Sequence, residues 1–310
     1  MSSLQAVAVS PTIKRMHSNT HLPASLARVA VIIPHLDRIS ETRACCKSLA
    51  QQSCPPAHLF VVDNGSMTHT ERELAAVCPN AHILRLSTNK GFAAAVNIGI
   101  REALQNRDLT HLWLLNNDTR CPPDALAQML AIYEGDERIG LVGCPMIEGQ
   151  DPANQRKVAA GKNLLRPFMI PIPAPPDVVP DYLSGACLLI KREILEDIGL
   201  LDEGFFFFFE DADFCRRAQN AGWLLDVCSA THIEHSGSST IRRMGELEAC
   251  SYRAGHVRYL RKYTRHAVLS GLPPYLARLC LELAHFRLSA CAAHRRGWAA
   301  GFAQSIRVQA

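Results

Sequence analysis

The stretch Leu59-Phe60-Val61-Val62-Asp63-Asn64-Gly65-Ser66 sets a short apolar run directly against a polar, turn-forming one. Leu59 to Val62 reads as a strand, and Asn64-Gly65 marks a tight turn at its end. The same junction recurs on either side. Upstream, Val29 to Ile33 is an apolar run that ends at Pro34-His35. Downstream, His82 to Leu86 precedes Ser87 to Gly91, and Leu112 to Leu115 stops at Asn116-Asn117-Asp118-Thr119. The segments between have helical period: His35 to Ser53, where Ile39, Cys46, Leu49 and Ala50 recur at helical spacing, then Thr70 to Val77, then Phe92 to Leu104. Strands alternating with helices predict an α/β fold with a mostly parallel central sheet and flanking helices on both faces. Ligands of such a sheet bind at the carboxyl ends of its strands, which are the four polar junctions.

The composition is that of an ordinary globular protein: 310 residues, 48% apolar and 20% charged. A formal charge of +4 suits phosphate-bearing ligands or an anionic membrane surface better than it argues for nucleic acid. The 12 cysteines contain no Cys-x-x-Cys pair, so neither a zinc site nor a redox motif is legible and reduced thiols are expected. Residues 1–28 read as a flexible leader without the apolar core of a secretory signal. No stretch reaches the length of a spanning helix, so the chain is expected on the cytoplasmic side of the membrane.

Proline and glycine are frequent from Pro145 to Pro180, which reads as a loop or lid. Tyr182 to Ile190 resumes as an apolar run through Ser184-Gly185-Ala186, small residues that admit a ligand or a second backbone. Lys191 to Ile198 reads as a short helix closed by Gly199, and Leu224 to Val227 as a strand. From Ile241 onward the chain reads as helical and basic, with Tyr252, Tyr259 and Tyr263 set among arginines. Two readings fit this extension equally: docking onto an anionic bilayer, or a helical hairpin packed on the preceding domain.

Chemistry concentrates where Phe205 to Phe209 run into Glu210, Asp211 and Asp213. Aromatic surface beside a carboxylate raises its pKa and prepares it to accept a proton, with Asp211 as the candidate base and Glu210 beside it. The plainer alternative is a buried strand leading into an acidic helix N-terminus. If extended, the phenylalanine run alternates its rings between core and pocket. Asp118, after an apolar strand and near Asn116, offers hard oxygen to Mg²⁺ or Mn²⁺, and His235 is a candidate to complete that shell. His232 and His235 fall on opposite faces of a strand, so only one of them is expected to serve.

Taken in order, six segments resemble the inverting glycosyltransferase family 2, over roughly Val29 to Tyr263. They are Val-Ala-Val-Ile-Ile-Pro, Val-Val-Asp-Asn-Gly-Ser, Asn-Lys-Gly-Phe-Ala-Ala-Ala-Val-Asn, Leu-Leu-Asn-Asn-Asp-Thr, Ser-Gly-Ala-Cys-Leu-Leu-Ile-Lys-Arg and Phe-Glu-Asp-Ala-Asp-Phe-Cys-Arg-Arg. The resemblance implies a GT-A fold, with residues 29–240 as catalytic domain, 29–120 as its nucleotide-binding half, 121–240 as its acceptor half, and 241–310 as a basic helical extension. It implies that Asp63 meets the nucleobase and that Asn89, Gly91 and the segment through Asn97 line the nucleotide site. Asp118 falls in the family's Asp-x-Asp motif with His235 in the metal shell, and Asp211 falls on the general base. Ser184 and Gly185 are expected on the acceptor side.

Two departures stand out. Asn116 replaces the motif's first carboxylate, so Asn116 and Asn117 join the nucleotide side while metal affinity leans on the donor's own phosphates. Pro34-His35-Leu36 replaces the usual Thr-Tyr-Asn. The implied activity is transfer of a sugar, rhamnose in the nearest-looking subgroup, from a dTDP-, UDP- or GDP-sugar to a glycan or lipid-linked acceptor in surface-polysaccharide synthesis. It implies a site on the inner face of the plasma membrane. The alternatives are a sugar nucleotidyltransferase and a catalytically silent sugar-nucleotide binder; a dinucleotide oxidoreductase is disfavoured because no Gly-x-Gly-x-x-Gly follows the first strand.

Overall fold

The structure, a computed structural model, describes residues 28–149, 155–175, 178–236 and 245–303. The expected leader therefore lies outside the described residues except for Arg28, as do residues 241–244 at the start of the helical extension.

With strands numbered in chain order, the central sheet begins with β1 (Val29–His35), β2 (His58–Asp63), β3 (His82–Arg85) and β4 (His111–Leu115). β1 lies between β2 and β4, parallel to both, and β3 extends the sheet beyond β2. β6 (Ile139–Gly143), β12 (Cys187–Lys191) and β13 (Leu224–Val227) complete the order β13-β6-β12-β4-β1-β2-β3. Only β12 runs against its neighbours, so the sheet is mostly parallel.

Alternation along β1 sends Ala30 and Ile32 to one face and Val29, Val31 and Ile33 to the other, and all five are buried. α1 (Ile39–Leu49), α2 (Glu71–Val77) and α4 (Ala125–Ala131) cover the valine face. α3 (Phe92–Ala103), α5 (Arg192–Ile198) and α6 (Glu210–Asn220) cover the other. A sheet buried on both faces needs nearly continuous apolar strands, which is why these runs were legible.

Three segments differ from expectation. The Pro145–Pro180 region is not a plain loop: it holds β7 (Met146–Glu148), β8 (Arg156–Val158), β9 (Gly161–Leu165) and β10 (Ile170–Pro173). Pro171 and Pro173 are tolerated because β10 is an edge strand in the order β10-β9-β11, with β11 at Tyr182–Leu183. The run from Tyr182 to Ile190 is likewise broken, turning at Ser184–Ala186 between β11 and β12. The phenylalanine run forms no strand. Phe208 and Phe209 take φ of 73° and 71°, a left-handed conformation costly for bulky residues, and the chain turns into α6 there. Burial of Phe205, Phe206 and Phe209 offsets that cost.

α7 (Glu246–Tyr263), α8 (Ala267–Ala284) and α9 (Leu288–Phe302) follow, and among the described residues no helix is long and apolar enough to cross a membrane. Helix α7 packs on the central domain: the Phe209 ring meets Tyr252, His256 and Tyr259 at 5.4, 5.4 and 5.7 Å. Fully buried Asp213 on α6 ties it further, accepting from Arg217 Nε at 2.9 Å and Tyr263 Oη at 2.8 Å and pairing with Lys262. Asp213→Ala is expected to lower stability by about 2 kcal/mol, less than for a fully buried pair because Arg217 and Lys262 keep access to water. Chemical denaturation measures this, and an unchanged midpoint would remove the tie as a stabilising contact.

Candidate active site

The carboxyl ends of β1, β2 and β4 open onto one cleft, at the switch point where successive connections leave β1 in opposite directions. One lobe is lined by Pro34, His35 and Asn64 from the β1 and β2 ends, Asn89 and Gly91 before α3, and Asn116, Asn117 and Asp118 after β4. The asparagines are locked to one another. Asn64 Nδ2 donates to Asn89 Oδ1 at 2.9 Å, Asn64 Oδ1 accepts from Lys90 N at 2.8 Å, and Asn117 Nδ2 donates to Thr42 Oγ1 at 3.0 Å. Gly91 has φ of 87°, and a Cβ there would lie 2.4 Å from the Phe206 carbonyl, so only glycine lets Phe92 N donate to that carbonyl at 2.7 Å.

Two expected residues stand away from the lobe. Asn97 does not line it: its side chain is buried, donating to Leu201 O at 2.9 Å and accepting from Leu201 N at 3.1 Å, because one turn into α3 the helix faces the core. Asp63 is fully buried behind the wall, accepting from Ser66 N at 2.9 Å and pairing with Arg85 Nη1 at 2.8 Å. His35 and His69 meet through their Nε2 atoms at 2.8 Å beside it. Burial holds His35 down to about 4, against the pull of Asp63, so it is neutral.

Sheet register builds the second cluster. In a small sheet of order β5-β14-β7-β8, β14 (Ile233–His235) pairs antiparallel with β5 (Thr119–Arg120) and parallel with β7. The register sets His235 opposite Thr119 on one side and Glu148 on the other. His235 Nε2 thus lies 3.2 Å from Asp118 Oδ1, and Nδ1 lies 3.4 Å from Glu148 Oε1. Burial pushes the imidazole down, but the hydrogen bond and charge of Asp118, with Glu148 behind, outweigh it and hold His235 above its ordinary value. His232, three residues before His235, is exposed, as the odd offset from His235 required.

Two donor sets can be tested for a divalent ion. Asp118 and His235 both line the cleft, and imidazole with carboxylate suits Mn²⁺. Glu148 behind the imidazole supplies the carboxylate–histidine support that metal-binding histidines use. His35, Asp63 and His69 also bring three ligand atoms within 4.8 Å of one another. There, however, the imidazoles are hydrogen-bonded together and a guanidinium occupies the carboxylate. The Asp118–His235 set fits better.

The other lobe has a volume of about 300 Å³ and is lined by Lys162, Tyr182, Ser184, Gly185, Phe207 to Phe209, Glu210, Asp211 and Tyr252. Phe92, Asn116, Phe207 and His235 line both lobes, so the cleft is continuous. Because β12 is antiparallel, its start lies at the end of β4, with Cys187 opposite Leu115 and Asn116 N donating to Ala186 O at 2.9 Å. The Ser184–Ala186 turn is thereby carried to Asp211. Gly185 N donates to Asp211 Oδ2 at 3.1 Å, and Ala212 N to Oδ1 at 2.8 Å. Burial raises the Asp211 carboxyl above its ordinary range, while those two amides and the Lys162 charge resist the rise. Glu210 is raised further, by burial and then by Asp211, and its Oε2 has no partner among the described residues.

Lys162 and Glu148 escaped the sequence reading because both lie in the proline-rich region taken as loop. The alternation in Met146-Ile147-Glu148 was the available signal.

Comparison with known proteins agrees with this geometry. Residues 30–199 match the family described as Glycosyl transferase family 2. The N-acetylglucosaminyl-diphospho-decaprenol L-rhamnosyltransferase of Mycobacterium tuberculosis is 27% identical over 249 residues, covering 72% of this chain and 77% of that protein. The dTDP-rhamnosyl transferase RfbF of Shigella flexneri is 24% identical, covering 70% and 71%. Among solved structures, GalNAc-T7 with UDP, GalNAc and Mn²⁺ superposes with a TM-score of 0.58 at 14% identity, over 89% of this chain and 56% of that one.

Glu148→Gln is expected to weaken Mn²⁺ binding by about 10- to 100-fold, as for other second partners of ligating histidines. Calorimetric titration of Mn²⁺ in the presence of a nucleoside diphosphate reads this, and unchanged affinity would remove Asp118–His235 as the metal set.

Proposed function

The chain belongs to glycosyl transferase family 2, and from that premise we propose that it moves rhamnose, with inversion, from a nucleotide-diphosphate sugar to a hydroxyl of a glycan or lipid-linked acceptor. It is a glycosyltransferase of GT-A fold, and two of the proteins it resembles are rhamnosyltransferases, which supports a place in cell-surface polysaccharide synthesis. The observation that carries the detailed reading is the continuous cleft with Asp118 and His235 in one lobe and half-buried Asp211 in the other.

In this reading the half formed by residues 29–120 holds the nucleotide and residues 121–240 hold the acceptor. Pro34, His35, Asn64 and Asn89 shape the base and ribose pocket, with Asp63 acting from behind through Arg85 and the histidine pair. Asn116, Asn117, Asp118 and His235 face the diphosphate. Asp118 and His235 would hold a divalent ion, which would supply positive charge against the departing nucleoside diphosphate. Asp211 takes the acceptor hydroxyl proton as the oxygen attacks the anomeric carbon and the bond to the diphosphate breaks. The amides of Gly185 and Ala212 aim the carboxylate, and Phe207 to Phe209 exclude water and offer apolar faces to the acceptor sugar. Glu210, beside the base, is raised more strongly by burial and by the Asp211 charge.

Asp211→Asn is expected to lower turnover by about 10²- to 10⁴-fold while nucleotide binding persists. Because the Asp211 carboxyl is raised, turnover is expected to fall as pH drops through a midpoint above the ordinary carboxylate range. Lys162→Met removes a charge that favours the ionised form, so that midpoint moves up. A panel of dTDP-, UDP- and GDP-sugars with Mg²⁺ or Mn²⁺ identifies the donor. Pyrophosphate release without sugar transfer would instead mark a nucleotidyltransferase.

For a lipid-linked acceptor the enzyme works at the cytoplasmic membrane surface. The support is on α8 and the turn after it, where Leu269, Leu272, Leu276, Leu283 and Phe286 are exposed among arginines 265, 278 and 287. Sedimentation with anionic vesicles at low salt is expected, and its absence would sink the membrane placement.

A further inference from the structure

A second cavity, of about 640 Å³, lies between α7, α8 and α9. Tyr252 lines both this cavity and the acceptor lobe, while neighbouring residues of β10 face one each, Ile170 the cavity and Pro171 the lobe. The two spaces are separated by one wall.

Arg253 lines this cavity and is 3% exposed. Its Nε has no partner among the described residues, Nη2 reaches only Pro274 O at 3.5 Å, and its plane lies 5.3 Å from the Tyr275 ring. Nη1 lies 3.2 Å from His256 Nδ1, which acts as acceptor because His256 Nε2 donates to Phe168 O at 2.7 Å. His256 is held down to about 4 by burial and carries no charge at neutral pH. No carboxylate among the described residues pairs with Arg253. His294, also 3% exposed and lining the cavity, has no partner on either ring nitrogen among the described residues. A buried guanidinium without a counter-charge is costly unless an anion joins it.

The other charged groups facing the cavity do not supply that anion. Glu282 is shared by Arg278 at 2.6 Å and Arg287 at 2.7 Å, and Glu246 pairs with Arg296 at 2.7 Å. Glu248 is pushed up by burial against the pull of Arg278, and it makes no ion pair with Arg253 among the described residues. Two arginines on one carboxylate, together with the unpaired Arg253, leave the cavity short of negative charge.

We infer that this cavity is an anion site for a phosphate or diphosphate group, held by Arg253 with Arg278 and His294. Its position across the Tyr252 wall from the acceptor lobe fits the phosphate of a phosphate-linked acceptor whose sugar lies against Asp211. That assignment to the acceptor rests on the transferase reading; the anion site itself does not.

Calorimetric titration with inorganic pyrophosphate in EDTA tests the site directly. Arg253→Met is expected to weaken binding by about 10- to 100-fold, the scale of losing a charged hydrogen-bond donor, while Asp118→Asn in the donor lobe leaves it unchanged. His294→Ala removes a ring whose nitrogens bond nothing else, so it repeats the test without breaking a contact of the fold. Equal pyrophosphate affinity in wild type and His294→Ala, or loss of binding only in Asp118→Asn, overturns the site. A second arm names the source of the anion. If KM for a diphosphate-linked acceptor rises in His294→Ala while KM for the phosphate-free glycoside does not, the acceptor's own phosphate occupies the site. If neither KM moves although pyrophosphate binding is lost, the occupant is a free phosphate species. Binding that depends on Arg253 in a protein that transfers no sugar would sink the transferase reading and leave the site standing.

Discussion

The hydrogen bond from Phe92 N to the Phe206 carbonyl, with no side chain at residue 91 to prevent it, joins the two halves of the molecule. It fixes the first residue of α3, whose approach carries Asn89 and Gly91, against the phenylalanine segment that leads into Asp211. That close approach sets Asn89 and Gly91 against the segment that leads into Asp211. The phenylalanines then turn through two left-handed residues, and aromatic packing against Tyr252, His256 and Tyr259 holds the turn. A strained backbone persists only when its surroundings over-determine it, and here they do so from both sides.

The chemistry follows from how unevenly three neighbouring carboxylates are treated. Asp213 is neutralised by Arg217, Lys262 and a tyrosine hydroxyl and serves to anchor α7. Asp211 receives two backbone amides and faces the cleft, so it is raised yet still aimed. Glu210 has burial and the Asp211 charge against a single backbone hydrogen bond, with its Oε2 unpartnered among the described residues, so it is pushed furthest. One turn of helix therefore holds an ion-paired carboxylate, one raised but held by two amides, and one raised further. Divergent environments, not residue type, separate the roles.

Much of the architecture was legible because strands of a doubly covered sheet are continuous apolar runs, and β1, β2 and β4 end where polar turn residues begin. Asp118 could be picked out for the same reason, since it stands at such a boundary; Asp211 was marked instead by the aromatic run before it, and His235 by its match to a family histidine. What misled was the proline-rich stretch. Proline argues against a strand only when the strand is central, and β10 lies on an edge, so Lys162 and Glu148 were hidden in apparent loop. The phenylalanine run misled differently, because its composition favours a strand while its flanking contacts impose a turn. Asn97 was carried with its motif, but helical geometry turns it into the core one turn after Phe92.

The sequence by itself determined the mostly parallel α/β frame and the chemical types gathered at the strand ends, since these depend on local period and on polar residues interrupting apolar runs. Only the tertiary structure decided which of those residues meet. The reversal of β12 brings Gly185 to Asp211, and the register of β14 sets His235 between Asp118 and Glu148. Pairing partners far apart in the chain are fixed by strand direction and register, which no local pattern of side chains records.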